Sequence, residues 1–295
     1  MGCDLADQFP VARGLFERAN QALGFDLAKV CFAGPEAELT KTENAQPGIY
    51  LVSWIAFELL RSRLPWLRWE ATAGLSLGEF TALAAAGALS FEDGLRITRL
   101  RGRFMQEACD ATQGGMAAII GLDEEPTRQV CEEAGVELAN LNCPGQLVIS
   151  GELGRVQKAC ELAKGRGAKR AMPLPVAGAY HSRLMAAAQP KLAAALAEVT
   201  IHPPSVPVIA NVHARPHDDP TAIKDLLVQQ VCASVRWEAS IRGLVAQGYD
   251  RFVELGPGKA LTGFLKRIAP EAKAFNVADV PSLEATVVAL QAAPA

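Results

Sequence analysis

The middle of the chain, residues 110–178, limits the possible folds more than any other segment. Short apolar runs alternate there with segments whose apolar residues recur at helical spacing. The pattern predicts strands over 116–122, 136–140, 147–150 and 169–174, and helices over 126–134 and 153–164. The order β-α-β-β-α-β is that of a ferredoxin-like fold, so we expect residues 110–178 to form a small inserted subdomain.

The flanking segments, 1–109 and 179–295, have the pattern of an α/β domain. A long helix is predicted over 91–109, helices over 183–196, 220–231 and 236–246, and strands over 206–212 and 251–255. Helices that alternate with short apolar strands indicate a mostly parallel sheet. Residues 290–295 have the composition of a loose tail.

A serine between two glycines, in Gly74-Leu75-Ser76-Leu77-Gly78, lies between a short, partly apolar run and an Ala/Leu-rich segment. This arrangement is typical of a nucleophile elbow, a strand–turn–helix that exposes the serine hydroxyl at a helix N-terminus. Backbone N–H groups can stabilise an oxyanion there. Ser76 followed by Glu79 also fits a helix capping box, so the motif alone leaves catalysis and capping open.

Charge and hydropathy exclude several classes of partner. The net charge is −3 and the chain has no dense Lys/Arg run, which argues against nucleic acid and anionic membranes. No apolar stretch approaches the roughly 20 residues that span a bilayer, and the first residues lack the features of a signal peptide. We therefore expect a cytoplasmic protein.

The seven cysteines are scattered and include no C-x-x-C pair. This distribution suits neither a disulfide framework nor a zinc site, so we expect no metal. Cys143, within Asn142-Cys143-Pro144-Gly145, is a possible nucleophile. Because no histidine is near it in the sequence, a structural thiol is favoured.

A serine nucleophile needs a base, and the chain contains four histidines. His202 precedes two prolines, while His213 and His217 flank a polar loop where exposed histidines need no special role. His181 lies where the predicted insert returns to the main domain, and such junctions often line active sites. The residues make His181 a candidate base but leave a structural role equally open.

Six motifs resemble, in order and over nearly the whole chain, the malonyl-CoA:acyl carrier protein transacylase family. They are Gly74-Leu75-Ser76-Leu77-Gly78-Glu79-Phe80, Leu100-Arg101-Gly102-Arg103-Phe104-Met105-Gln106, Asn142-Cys143-Pro144-Gly145-Gln146, Ala179-Tyr180-His181-Ser182, Val235-Arg236-Trp237 and Glu254-Leu255-Gly256-Pro257-Gly258-Lys259. The resemblance implies an α/β-hydrolase-like core, 1–109 and 179–295, with a ferredoxin-like insert, 110–178.

The resemblance also implies the roles of individual residues. Ser76 would be the nucleophile and His181 the base, with the Leu77 N–H donating to the oxyanion. Arg101 would pair with the free carboxylate of malonate, for which a guanidinium fork is well shaped. Without the family pattern, Arg101 could not be distinguished from the other arginines of the same predicted helix.

Further positions follow from the resemblance as substrate-binding residues: Gln46, Gln230 and Met105. For the two glutamines, a polar residue at the end or outer face of a helix is an equally good interpretation. Tyr180 corresponds to a bulky aromatic residue of malonyl-selective relatives, so branched acyl groups should fit less well.

The implied reaction is ping-pong transfer of malonyl from malonyl-CoA to acyl carrier protein for fatty acid synthesis, and it needs no cofactor. Nothing in the sequence demands more than a monomer, so we expect one. One alternative is a trans-acting acyltransferase or an acyl hydrolase of polyketide assembly. The presence of Arg101 argues against the hydrolase. Another alternative is a non-catalytic subunit that binds the carrier protein.

The sequence departs from the family pattern at two places. Leu75 replaces the usual histidine of G-H-S-x-G, and we expect a modest effect on acyl selectivity or acyl-enzyme lifetime. The opening F-P-G-Q-G-x-Q element, which supplies a first strand and a second oxyanion donor, is absent before Met1. The resemblance thus predicts a longer natural chain.

Overall fold

A computed structural model describes residues 1–292. The helices in this part are α1 (Cys3–Gln8), α2 (Pro10–Leu23), α3 (Leu27–Ala33), α4 (Glu36–Leu39), α5 (Thr42–Arg63), α6 (Gly78–Ala85), α7 (Phe91–Asp110), α8 (Glu124–Ala134), α9 (Leu153–Gly165), α10 (Ala188–Ala197), α11 (Pro220–Gln230), α12 (Trp237–Ala246), α13 (Ala260–Ile268) and α14 (Val280–Ala292). The strands are β1 (Thr72–Ala73), β2 (Gly114–Ile120), β3 (Glu137–Cys143), β4 (Gln146–Glu152), β5 (Arg170–Pro173), β6 (Val208–Ile209), β7 (Arg251–Leu255) and β8 (Lys273–Val277). The chain thus has an α/β fold.

The middle segment contains its six elements in the predicted order. Its four strands form one sheet in the order β3-β4-β2-β5, with every neighbouring pair antiparallel. Ala117 and Ile119 of β2 lie in one buried cluster with Val130 of α8 and Val156 of α9. The side chains of a strand alternate between faces, so these helices cover one face of the sheet.

The other strands are parallel, but they form two separate pairs instead of the expected single sheet. Strand β1 pairs with β6, and β7 pairs with β8. Strands β1 and β6 contain only two residues each, too few to show the periodicity of a strand in the sequence. Strand β8 and helices α13 and α14 were not predicted.

Helices α5 and α7 pack closely and bring two parts of the site together. A Cβ on Gly102 would lie 2.4 Å from the Thr42 carbonyl oxygen, so only glycine allows α7 to approach α5 this closely. Gln46 on α5 and Arg101 on α7 are both buried on facing sides of this contact. The contact therefore positions these two polar side chains.

Two expectations about the ends of elements were wrong. The predicted helix over 183–196 is a short 3-10 turn, Arg183–Met185, followed by α10. The predicted tail begins inside α14, where Leu290 is buried; residues 293–295 lie outside the described part of the chain. Within residues 1–292, a search for helices with the length and hydropathy of a bilayer span finds none.

Candidate active site

Ser76 lies on the predicted elbow. Strand β1 ends at Ala73 and helix α6 begins at Gly78, so Ser76 occupies the turn between them. Its φ angle is +52°, a left-handed conformation that is uncommon for residues other than glycine. The Ser76 side chain makes no capping bond within residues 1–292, since its hydroxyl contacts His181 and Arg101 instead. The capping-box interpretation is therefore wrong.

Asn211 holds both sides of this turn. Its Oδ1 accepts a hydrogen bond from the Ser76 N–H at 2.6 Å, and its Nδ2 donates to the Gly74 carbonyl at 2.7 Å. Gly74 also packs directly against the start of α6, where an added Cβ would lie 1.9 Å from the Gly78 carbonyl carbon. The first glycine of the motif is thus required because a larger residue would collide with the backbone of Gly78.

Replacing Gly74 by alanine should therefore disrupt the elbow. We expect Gly74→Ala to lose folded protein or most of the reactivity of Ser76, because backbone atoms of Gly78 would have to move. Gly78→Ala is the matched control, since a Cβ there meets no atom within 4 Å. Thermal melting and labelling by a fluorophosphonate, a general probe of activated serines, measure both effects. Equal results for the two variants would contradict this account.

His181 is oriented as a base toward Ser76. Its Nε2 lies 2.8 Å from the Ser76 Oγ, and its Nδ1 lies 2.9 Å from the Gln230 carbonyl oxygen. Because a carbonyl oxygen only accepts, Nδ1 carries the proton and Nε2 is left to accept the hydroxyl proton. A backbone carbonyl thus takes the place of the carboxylate of a catalytic triad.

Burial, together with the charge of Arg101, lowers the pKa of His181 from 6.5 to about 4. The imidazole therefore stays neutral, and able to act as a base, down to about pH 4. We expect the rate of Ser76 labelling by the fluorophosphonate to be flat near neutral pH and to fall about tenfold per pH unit below the pKa. His213→Ala should leave the profile unchanged. A midpoint near pH 6.5 would show that burial does not lower the pKa of His181.

Arg101 places a buried positive charge beside the serine. Its Nη2 donates to the Ser76 Oγ and to the Gln230 Oε1, both at 3.0 Å, and its Nη1 donates to the Gln46 Oε1 at 2.7 Å. Burial lowers its pKa to about 10, so the side chain is charged at neutral pH. Within residues 1–292 its buried Nε has no hydrogen-bond partner. The site can therefore attract an anionic group next to the hydroxyl.

The three remaining predicted site residues, Gln46, Gln230 and Met105, are all buried, but they differ in which groups they contact. Gln46 and Gln230 contact the Arg101 guanidinium directly. Met105 contacts Gln46, whose Nε2 donates to the Met105 Sδ at 3.6 Å. Met105 thus contacts the amide nitrogen of Gln46, whereas Arg101 contacts its amide oxygen.

Gln230 contacts more residues of the site than the sequence analysis predicted. Its Nε2 donates to the Ser76 carbonyl at 3.0 Å and to the Glu79 Oε2 at 2.7 Å. Its Oε1 accepts from Arg101, and its backbone oxygen accepts from His181. One residue therefore touches the serine, the arginine and the histidine.

Sequence reasoning missed three buried residues of this site: Asn211, Glu79 and His217. His217 was expected on an exposed loop, which is wrong. Its side chain is completely buried, and its Nε2 lies 2.8 Å from the Glu79 Oε1. Glu79 was visible in the elbow motif, but its partners come from segments more than 130 residues away in the sequence. No local pattern reveals such pairs.

Other predicted features surround this centre. The Leu77 N–H follows Ser76 directly and donates no hydrogen bond within the described chain, so it is free to stabilise an oxyanion. Leu75 is half-buried against the apolar cluster that contains Val235 and Trp237. The Tyr180 hydroxyl bonds the Thr42 Oγ1 at 2.7 Å, which fixes the ring beside His181.

Cys143 is not among the residues that contact Ser76, His181 or Arg101 in the described part of the chain. Cys143 is the last residue of β3 and is fully buried, and burial raises the pKa of its thiol. Among residues 1–292, no group of three or more His, Cys, Asp and Glu side chains is arranged to hold a metal ion. The structural interpretation of Cys143 is therefore favoured.

An α/β fold that presents a serine–histidine pair on such an elbow is typical of enzymes that form covalent acyl–serine intermediates. A family model described as "Acyl transferase domain" matches residues 1–287. The malonyl CoA-acyl carrier protein transacylase of Bacillus subtilis is 44% identical over 99% of this chain and 93% of its own length. The chain belongs to the malonyl CoA-acyl carrier protein transacylase family, an acyltransferase family, as its motifs indicated.

Solved structures agree with this assignment. The malonyl CoA-acyl carrier protein transacylase of Coxiella burnetii is 35% identical, with a TM-score of 0.94 over 98% of this chain and 92% of its own. A malonyl-transacylase in complex with a type II PKS acyl-carrier protein is 38% identical, with a TM-score of 0.94 over 98% of this chain and 94% of that chain.

Proposed function

We propose that this chain transfers malonyl from malonyl-CoA to the phosphopantetheine thiol of acyl carrier protein through a malonyl ester of Ser76, supplying fatty acid synthesis. The observation that carries the proposal is the buried Arg101 guanidinium, 3.0 Å from the Ser76 hydroxyl. A buried cation beside a nucleophile suits an acyl group with its own carboxylate, as malonyl has. The names of the relatives support the same substrate.

In the first half-reaction, the His181 Nε2 accepts the Ser76 proton while Oγ attacks the thioester carbonyl carbon. The Leu77 N–H donates to the tetrahedral oxyanion. When the carbon–sulfur bond breaks, the coenzyme A sulfur takes the proton from His181, which leaves malonyl-Ser76. In the second half-reaction, His181 accepts the proton of the carrier thiol, whose sulfur attacks the ester, and returns it to the Ser76 oxygen.

Arg101 would hold the malonyl carboxylate during both half-reactions. Its Nη2 now bonds the Ser76 Oγ, and its Nε lies buried without a partner within residues 1–292. A carboxylate near Ser76 would accept from the fork of N–H groups, while Gln46 and Gln230 keep the guanidinium oriented. Met105 would act only by supporting Gln46.

For the architecture, we propose a ferredoxin-like subdomain, 110–178, inserted into an α/β-hydrolase-like core, 1–109 and 179–295. The antiparallel order β3-β4-β2-β5 with two helices on one face supports the first assignment. The elbow after β1 and the parallel pairing of β1 with β6 support the second.

A carrier protein of polyketide assembly is a second candidate partner. One similar structure is a malonyl-transacylase bound to a type II PKS acyl-carrier protein. The acyl hydrolase alternative is disfavoured because Arg101 is retained and points at Ser76. A monomeric state, a cytoplasmic location and independence from cofactors remain predictions.

Incubation with labelled malonyl-CoA, followed by acyl carrier protein, tests the proposal. We expect label on Ser76 that then moves to the carrier thiol. Release of free malonate in place of transfer would indicate a hydrolase, and the absence of any label would indicate a non-catalytic subunit. Parallel reactions with a fatty acid and a polyketide carrier protein distinguish the two pathways.

A further inference from the structure

Glu79 and His217 form a buried pair beneath the elbow. Their side chains are 1% and 0% exposed, respectively. Neither side chain touches the Ser76 hydroxyl, so the transfer mechanism above assigns the pair no step. A carboxylate buried this deeply is costly unless hydrogen bonds satisfy it.

The Glu79 carboxylate accepts from three donors. Its Oε1 accepts from the His217 Nε2 at 2.8 Å, and its Oε2 accepts from the Asn211 N–H at 3.0 Å and the Gln230 Nε2 at 2.7 Å. A carboxylate oxygen is an acceptor, so the contact with Oε1 assigns a proton to Nε2 of His217. The imidazole thus occupies one oxygen and leaves the other for Asn211 and Gln230.

These two residues are the ones that orient the reacting groups. Asn211 accepts the Ser76 N–H, while Gln230 donates to the Ser76 carbonyl and accepts from Nδ1 of His181. A rotation of the Glu79 carboxylate would therefore disturb the backbone of the nucleophile and the carbonyl that fixes the histidine tautomer.

The backbone around His217 holds the imidazole in place. The chain turns back after β6, with the His217 N–H donating to the Val208 carbonyl at 2.9 Å and Ile209 bridged to Pro216. The side chain therefore enters the core from a strand-like segment beside β6. These two backbone contacts tie the segment that carries His217 to β6.

We propose that His217 is a positioning residue for the transfer reaction. By donating from Nε2 to the Glu79 Oε1, it keeps Oε2 directed at Gln230 and Asn211, and so keeps Ser76 and His181 aligned. This inference rests on the proposed function only for the identity of the acyl substrate. The alignment itself governs any attack by the Ser76 hydroxyl.

Two amide substitutions separate positioning from simple packing. In His217→Gln the side-chain NH₂ can reach the place of Nε2, whereas in His217→Asn it matches Nδ1 and falls short of Glu79. We measure kcat and KM for malonyl transfer, and the rate constant for fluorophosphonate labelling of Ser76, per folded molecule. His213→Ala is the control, since the His213 ring bonds only the Arg215 N–H in the described chain.

We expect His217→Gln to stay within about threefold of wild type. His217→Asn should lose between tenfold and about a hundredfold in kcat and in labelling rate, the size of a small misalignment, with KM within about twofold. Equal rates for the two amide variants would overturn the proposal, as would failure of both to fold. If wild type transfers no malonyl, the proposed function fails, while the labelling rates still decide the role of His217.

Discussion

Ser76→Ala should abolish the covalent intermediate and reduce transfer by about 10⁶-fold, because removal of a serine nucleophile leaves only binding and oxyanion contacts. His181→Ala should cost a similar factor, since Ser76 would lose the acceptor that lies 2.8 Å from its Oγ. Residues that act as a unit are non-additive, so the double variant should be no slower than Ser76→Ala. Steady-state transfer and trapping of labelled acyl-enzyme measure these effects.

Ser205→Ala and His213→Ala are the controls for this prediction. The Ser205 hydroxyl donates a hydrogen bond to the Ala86 carbonyl, and His213 contacts Arg215, so neither touches the reacting groups. Both variants should transfer malonyl at nearly the wild-type rate. Acyl-enzyme formation by Ser76→Ala at a wild-type rate would show that another residue is the nucleophile.

Arg101→Ala should change which acyl group is transferred. Truncating one partner of a buried, hydrogen-bonded charge pair costs about 2–5 kcal/mol, so malonyl transfer should fall by roughly a thousandfold. Acetyl-CoA has no carboxylate for the guanidinium to bind, and its slower reaction should fall much less. Arg101→Lys should lie between, because an ammonium cannot form the two parallel bonds of the fork. The kcat/KM values for the two substrates give the change in selectivity.

Arg103→Ala is the matched control on the same helix. Its side chain is 53% exposed and forms an ion pair with Glu107, so its removal should leave both substrates unaffected. Parallel losses for malonyl-CoA and acetyl-CoA in Arg101→Ala would contradict carboxylate binding. That result would assign Arg101 to the support of Ser76 and Gln230 instead.

Local periodicity predicted the middle segment well because its elements are regular and pair with near neighbours. The four strands and two helices appear in the predicted order, with shifts of a few residues at their ends. The strands of the flanking α/β segments were harder to predict. Strands β1 and β6 have two residues each and join segments about 135 residues apart, so their pairing leaves no local pattern.

The active site, like the fold, could be predicted where short sequence motifs mark its residues. The spacing of two glycines around Ser76 indicated the turn, and the family motifs singled out Arg101 among four arginines of α7. They also pointed to His181, which the pattern of residues alone left undecided. These are contributions of short, local sequences, in which residue type and spacing carry the chemistry.

By itself, the sequence determined the kind of fold, the elbow and the chemical groups available to it. Only the tertiary structure decided how those groups are positioned, because burial and hydrogen bonds between distant segments produce no local sequence pattern. His217 is the clearest example. In a polar loop it reads as a surface histidine, yet packing beside β6 buries it against Glu79, where a carboxylate without a donor would be costly.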